Sequence, residues 1–222
     1  FYLKSIFKCH NETINIWTHL LGSLGFIFLL LFTNISGLVS YPIEDTIAIN
    51  VYLLSVIVCF LSSSLMHTFY PMSDKCCKNL CRLDYIGISL FILGSYGPFI
   101  HFAFYCNNIL RWTYYILINL IGLICIGLTF IPTFYKSKYK IYRVLMFTSL
   151  IIVCICPIIH RILIKDREEI YDFFIELEYY ILSIVFCIFG AFFFVSKVPE
   201  KYYPRSEEHT SELQSPMYLV CR

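Results

Sequence analysis

Ser63 and His67 stand four residues apart, and Asp84 opens the next apolar stretch. Together they offer a hydroxyl, an imidazole and a carboxylate. In a confined apolar site, imidazole plus carboxylate suits zinc. The carboxylate can ligate the metal, or hold and deprotonate a water on it. Three further histidines, His19, His101 and His160, also lie in apolar surroundings. Ionisable groups so placed carry a functional reading by default. The plain alternative is that one His–Asp pair between membrane helices is interhelical glue. One imidazole and one carboxylate do not complete a tetrahedral site, so other ligands must come from elsewhere.

The elements that position these residues follow from composition. Hydrophobic residues make up 59% of the 222-residue chain and charged residues 14%. Soluble domains carry about 25% charged residues. So lipid must solvate much of this apolar surface, and the fold expected is all-α, a multi-pass transmembrane helix bundle. About 20 apolar residues are needed per crossing. Six stretches qualify: Ile14–Phe32, Ile47–Phe69, Asp84–Tyr105, Trp112–Phe134, Ile141–Leu163 and Phe173–Ser196. The formal charge of +2 is too small to suggest a nucleic-acid partner.

Linker charge sets the orientation. Lys4, Lys8, Lys75, Lys78, Arg82, Lys136, Lys138, Lys140, Arg143, Lys197 and Lys201 fall on one side. Arg111, Arg161, Lys165 and Arg167 fall on the other, beside Glu168, Glu169, Asp172, Glu176 and Glu178. Lys and Arg accumulate on the cytoplasmic face, so the N-terminus is expected inside. Trp17 and Trp112, near span ends, fit an aromatic belt. His67, ending the second span, and Asp84, starting the third, then share one inner depth on adjacent helices. Ser63 lies on the face of His67, one turn deeper. His19 returns to the same depth. His101, seventeen residues past Asp84, belongs roughly 25 Å away near the outer face, as does His160.

Five of the eleven cysteines (Cys59, Cys125, Cys154, Cys156, Cys187) sit inside apolar runs, as small hydrophobes do. Cys76, Cys77 and Cys81 are expected as free loop thiols on the cytosolic side; palmitoylation or metal binding is the alternative. Of two glycosylation sequons, Asn11-Glu12-Thr13 falls on the wrong side and Asn34-Ile35-Ser36 lies close to the membrane.

Several ordered motifs carry a resemblance. They are Lys4-Ser5-Ile6-Phe7, Asn11-Glu12-Thr13-Ile14-Asn15-Ile16-Trp17-Thr18-His19-Leu20-Leu21-Gly22, Ser63-x-x-x-His67, Leu83-Asp84-Tyr85-x-Gly87-Ile88, Phe104-Tyr105-Cys106, Pro157-x-x-His160 and Val198-Pro199-Glu200-Lys201-Tyr202-Tyr203-Pro204. From Phe1 to Pro204 the chain resembles the progestin and adipoQ receptor family, which includes the adiponectin receptors and bacterial hemolysin III-type proteins. Asn107-Asn108 and Ser196-Lys197-Val198-Pro199-Glu200 resemble its Golgi-resident member described as a Raf kinase trap. The resemblance implies seven spans, a cytoplasmic N-terminus and a zinc site. His67 would be a ligand, Asp84 would hold the zinc-bound water and Ser63 would line the site. The other two ligands would come from a Ser-His-x-x-x-His motif on span seven. His19 belongs to the family's first motif without being a ligand there.

Span seven is not found in this chain. Arg205–Ser215 reads Arg-Ser-Glu-Glu-His-Thr-Ser-Glu-Leu-Gln-Ser, which matches the translation of a sequencing-adapter oligonucleotide. Residues 1–204 are therefore expected to form the receptor-type membrane domain with six of seven spans, and 205–222 to stand outside the fold. His209 is not expected to replace a ligand. Residue 1 is Phe, so the true N-terminus is expected to be missing.

Three functional expectations result. The first is a zinc-dependent hydrolase of lipid amides, of the ceramide type, with Asp84 as general base; without span seven this chain is expected to be inactive. The second is a receptor whose zinc is structural. The third is a Golgi scaffold that tethers a Raf-type kinase and dampens MAP kinase signalling. Its basic linkers, Lys75–Arg82 and Lys136–Arg143, would dock a partner or anionic lipid headgroups; simple positive-inside topology is the favoured account of them. A channel or proton pump is the weakest reading, because the spans lack a chain of acidic residues.

Overall fold

The computed structural model describes residues 6–8, 10, 12–35, 42–69, 72–134, 136–164 and 167–196. Among them are six α-helices: α1 (Thr13–Ile35), α2 (Ile43–Phe69), α3 (Asp74–Ala103), α4 (Asn108–Leu128), α5 (Lys140–Ile164) and α6 (Arg167–Ser196). No strand occurs among the described residues. Each helix overlaps one expected span. The first five are long and apolar enough to cross a membrane, and α6 carries a shorter apolar stretch, Leu177–Phe193. The chain is an integral, multi-pass membrane protein. The segment 197–222, including the expected non-fold tail, lies outside the described residues.

One linker differs from expectation. Tyr70–Leu83 was expected as a charged loop, yet α3 already begins at Asp74. Ser73 caps it, its hydroxyl accepting the Cys76 amide at 3.2 Å. Hydropathy marks only the apolar part of a helix, while the cap marks its start. Lys75, Lys78 and Arg82 therefore ride on the basic end of α3. The cysteine cluster changes with it. Cys76, Cys77 and Cys81 are helical, and Cys77 and Cys81 are buried. Cys77 is disulfide-bonded, and its sulfur lies 4.0 Å from that of Cys81. The expectation of free loop thiols is corrected accordingly.

Contacts sort the molecule into two ends. At one end, Arg82 Nε donates to the Thr129 carbonyl at 3.3 Å, and Arg143 donates to the Phe134 and Lys136 carbonyls. Arg143 also lies over the Tyr85 ring and Arg82 over the Phe130 ring. These bonds gather the start of α3, the end of α4 and the start of α5 at the basic end. At the opposite end, Asn34 and Asn50 exchange paired amide bonds of 2.9 Å between α1 and α2. The second sequon's asparagine is thus paired with the neighbouring helix at an exposed position.

Helix α3 is the axis and the most buried of the five spanning helices. On one side it packs an apolar core with α4 and α5, built on Ile92, Phe99, Ile118, Met146, Leu150 and Cys154. Leu177 of α6 joins that core, and Tyr180 meets Phe99 edge to face at 5.2 Å. On its other side α3 approaches α2 through small residues. A Cβ placed on Gly94 would stand 2.5 Å from the Ser55 Cβ. One placed on Gly87 would clash with the Ser62 hydroxyl and stand 3.1 Å from the Cys59 Cα. Lipid tails are as apolar as leucine, so membrane helices associate through such close backbone approach. This contact aligns the ends of α2 and α3 that carry the candidate site.

Candidate functional site

The site is a polar nest between α1, α2 and α3 at the basic end. Ser63 and Asp84 are both buried, and Ser63 lies beside the Asp84 carboxyl. The imidazoles of His67 and His19 lie within electrostatic range of that carboxylate. The two rings are 5.9 Å apart, centroid to centroid. Four residues placed at one depth by helix counting are therefore neighbours in space. His101 and His160 are at the other end: His101 meets Asp45 at 2.7 Å, and His160 meets the Tyr114 hydroxyl at 2.7 Å.

The nest departs from the simplest pairing. His67 Nδ1 bonds not to Asp84 but to Glu12 Oε2, at 2.9 Å. Helical spacing explains why Glu12 can arrive there. Glu12, Asn15 and His19 are separated by three and four residues, so they share one face at the start of α1. Asn15 donates to the same Glu12 oxygen at 2.8 Å, and the Asn15 carbonyl accepts from His19 Nδ1 at 2.7 Å. The Ser64 hydroxyl reaches the Ile16 carbonyl at 3.4 Å, closing α1 onto α2.

Whether these residues fit zinc can be judged from their donors. They offer imidazole nitrogens and carboxylate oxygens, which are zinc-type ligands. Yet among the described residues no group of three or more His, Cys, Asp or Glu side chains is arranged to hold a metal ion. The nest does not form a closed zinc site by itself.

A family model for haemolysin-III related proteins matches residues 7–211. This chain belongs to the haemolysin III-related family. The receptor resemblance read from the motifs agrees with its relatives. The haemolysin III-related chain is 28% identical to progestin and adipoQ receptor-like protein 1 of Caenorhabditis elegans, over 90% of this chain and 46% of that protein. It is 32% identical to progestin and adipoQ receptor family member 3 of Mus musculus, over 91% of this chain and 66% of that protein. With heptahelical transmembrane protein 1 of Arabidopsis thaliana it shares 32% identity, over 90% of this chain and 62% of that protein. It therefore spans about half to two thirds of the length of these relatives.

Two features of this haemolysin III-related chain escaped the sequence reading. Glu12 enters the sequence reading only within a sequon and a family motif, with no role of its own, although its spacing to Asn15 and His19 is a usable signal. Asp45 was assigned to a linker, because the apolar run was taken to begin at Ile47. The helix starts a turn earlier, at Ile43, and Asp45 is buried in its first turn.

Proposed function

We propose that this chain is the receptor-type membrane domain of a protein that hydrolyses a lipid amide of the ceramide class, with zinc bound near the cytosolic leaflet. The observation that carries the reading is the buried Ser63–Asp84 contact with His67 beside it, at the membrane depth where the basic residues gather. His67 would supply one ligand, and the rest would come from outside the described residues, on a seventh helix. Zinc, when bound, would supply Lewis acidity toward an amide carbonyl. Within the chain, Asp84 accepts a proton from the attacking water and Ser63 holds the carboxyl in place.

The test is turnover of a ceramide-type amide by purified full-length protein, with and without a chelator. Asp84→Asn should lower turnover by about 10²- to 10⁴-fold, the usual worth of a general base. Full activity of that variant, or activity indifferent to chelation, would defeat the proposal. Chelation that lowers only the melting temperature would instead identify a receptor with structural zinc.

A second reading, a Golgi scaffold that tethers a Raf-type kinase, draws on the surface at the same end. Lys75, Lys136 and Lys138 are exposed there, while Arg82 and Arg143 are committed to internal carbonyls. Three exposed lysines offer an anionic partner or headgroup a docking patch. Kinase capture lost on their replacement by alanine would favour this reading, and capture unchanged would remove it.

A further inference from the structure

We propose that Glu12 is a positioning residue that holds His67 in the Nδ1–H tautomer, leaving Nε2 unprotonated and available to the Asp84 nest. The inference deepens the functional reading above and rests on His67 being the working imidazole there.

The argument starts from what each partner can do. A carboxylate only accepts, so the 2.9 Å contact between Glu12 Oε2 and His67 Nδ1 requires the proton on Nδ1. In the neutral ring the lone pair then belongs to Nε2. Both side chains are about three-quarters or more covered, at 21% and 25% exposure, so bulk water does not compete freely for the bond. Glu12 is itself held, because Asn15 donates to the same oxygen at 2.8 Å. The backbone of Asn15 fixes the neighbouring imidazole in the same way: His19 Nδ1 donates to the Asn15 carbonyl at 2.7 Å. So one face of α1 sets both rings, each with its Nδ1 engaged, and both lie within electrostatic range of Asp84. A carboxylate on the far nitrogen of an imidazole orients the ring and fixes its tautomer. Glu12 stands in that relation to His67. It sits outside the Ser63–Asp84 contact and acts only through His67.

The bond also ties two segments together. Glu12 immediately precedes α1 and His67 lies in the last turn of α2, fifty-five residues away. A purely structural role would therefore also be served by this contact, and the experiment must separate the two.

The measurement is the ring ¹⁵N spectrum of His67 in the full chain, held in lipid nanodiscs at mildly alkaline pH and assigned with His67→Gln. The expected result is a protonated Nδ1 and a pyridine-type Nε2. In Glu12→Gln the tautomers should mix, while the His19 signals and the melting midpoint stay within error. Zinc titration of full-length protein should show binding weakened by about 10- to 100-fold in the same variant. A wild-type His67 protonated on Nε2 would overturn the inference, and this needs no variant to fold. So would a Glu12→Gln variant whose tautomer and zinc affinity both equal wild type. If the tautomer depends on Glu12 but full-length protein binds no zinc, the positioning role stands and the metal reading falls.

Discussion

Asp45 and His101 meet at 2.7 Å, with 12% and 5% of their side chains exposed, at the end of the bundle opposite the candidate site. The contact joins the first turn of α2 to the last turn of α3. Removing one member of such a buried pair strands the other, at about 3–5 kcal/mol. We expect Asp45→Ala and His101→Ala each to destabilise the protein by about that amount, read from denaturation in mixed micelles. Replacing both with apolar residues of similar volume should recover most of the loss. Single variants within about 0.5 kcal/mol of wild type would show that the pair contributes little.

The close approach of α2 and α3 makes a second prediction. Gly94→Ala places its Cβ 2.5 Å from the Ser55 Cβ, with the Val51 carbonyl 3.5 Å away. Overpacking of this kind costs about 1–3 kcal/mol. Gly25 on α1 has nothing within 4 Å of the same probe position. Gly25→Ala should be neutral or slightly stabilising, since alanine is the better helix former by about 1 kcal/mol. Equal melting temperatures for the two variants would contradict the packing argument.

Arg143 should matter through its carbonyl bonds rather than its charge. It is buried and donates to Phe134 and Lys136 while covering the Tyr85 ring. Hydrogen bonds from a charged group contribute about 1.5–3 kcal/mol. Arg143→Lys keeps the charge but loses the planar fork. We expect that variant to expose the 129–139 connection to proteolysis nearly as much as Arg143→Ala does. Protection equal to wild type would mean that charge alone suffices.

Within the nest, Ser63→Ala should be milder than Asp84→Asn. It removes a hydroxyl that lies beside the buried Asp84 carboxyl, and we expect a loss of roughly tenfold in rate, the size of one charge-assisted hydrogen bond. Ceramide-type turnover by full-length protein gives the comparison. An effect as large as that of Asp84→Asn would make Ser63 a direct participant in the chemistry.

Much of this was legible beforehand, and the misses have identifiable causes. Hydropathy found all six helices because bilayer thickness sets their length. It misplaced the start of α3 by ten residues, since a helix that leaves the apolar layer keeps its backbone bonds but loses its apolar signal. The same effect hid Asp45. Depth counting brought Ser63, His67, Asp84 and His19 to one level, because rise per residue is constant. It could not say which of them touch, because level does not fix rotation about the helix axis.

From the order of residues alone came the membrane as solvent, the six helices among the described residues, and the two depths at which ionisable groups gather. Those follow from lengths and charges, which are local quantities. Only the folded bundle decided that Glu12 accepts a hydrogen bond from His67 Nδ1, that Ser63 lies beside Asp84 and that Asp45 meets His101. Partner choice between helices depends on azimuth and on how closely backbones approach. Here that approach is set by Gly87 and Gly94 against Ser62 and Ser55, a contact between elements that no single stretch of chain contains.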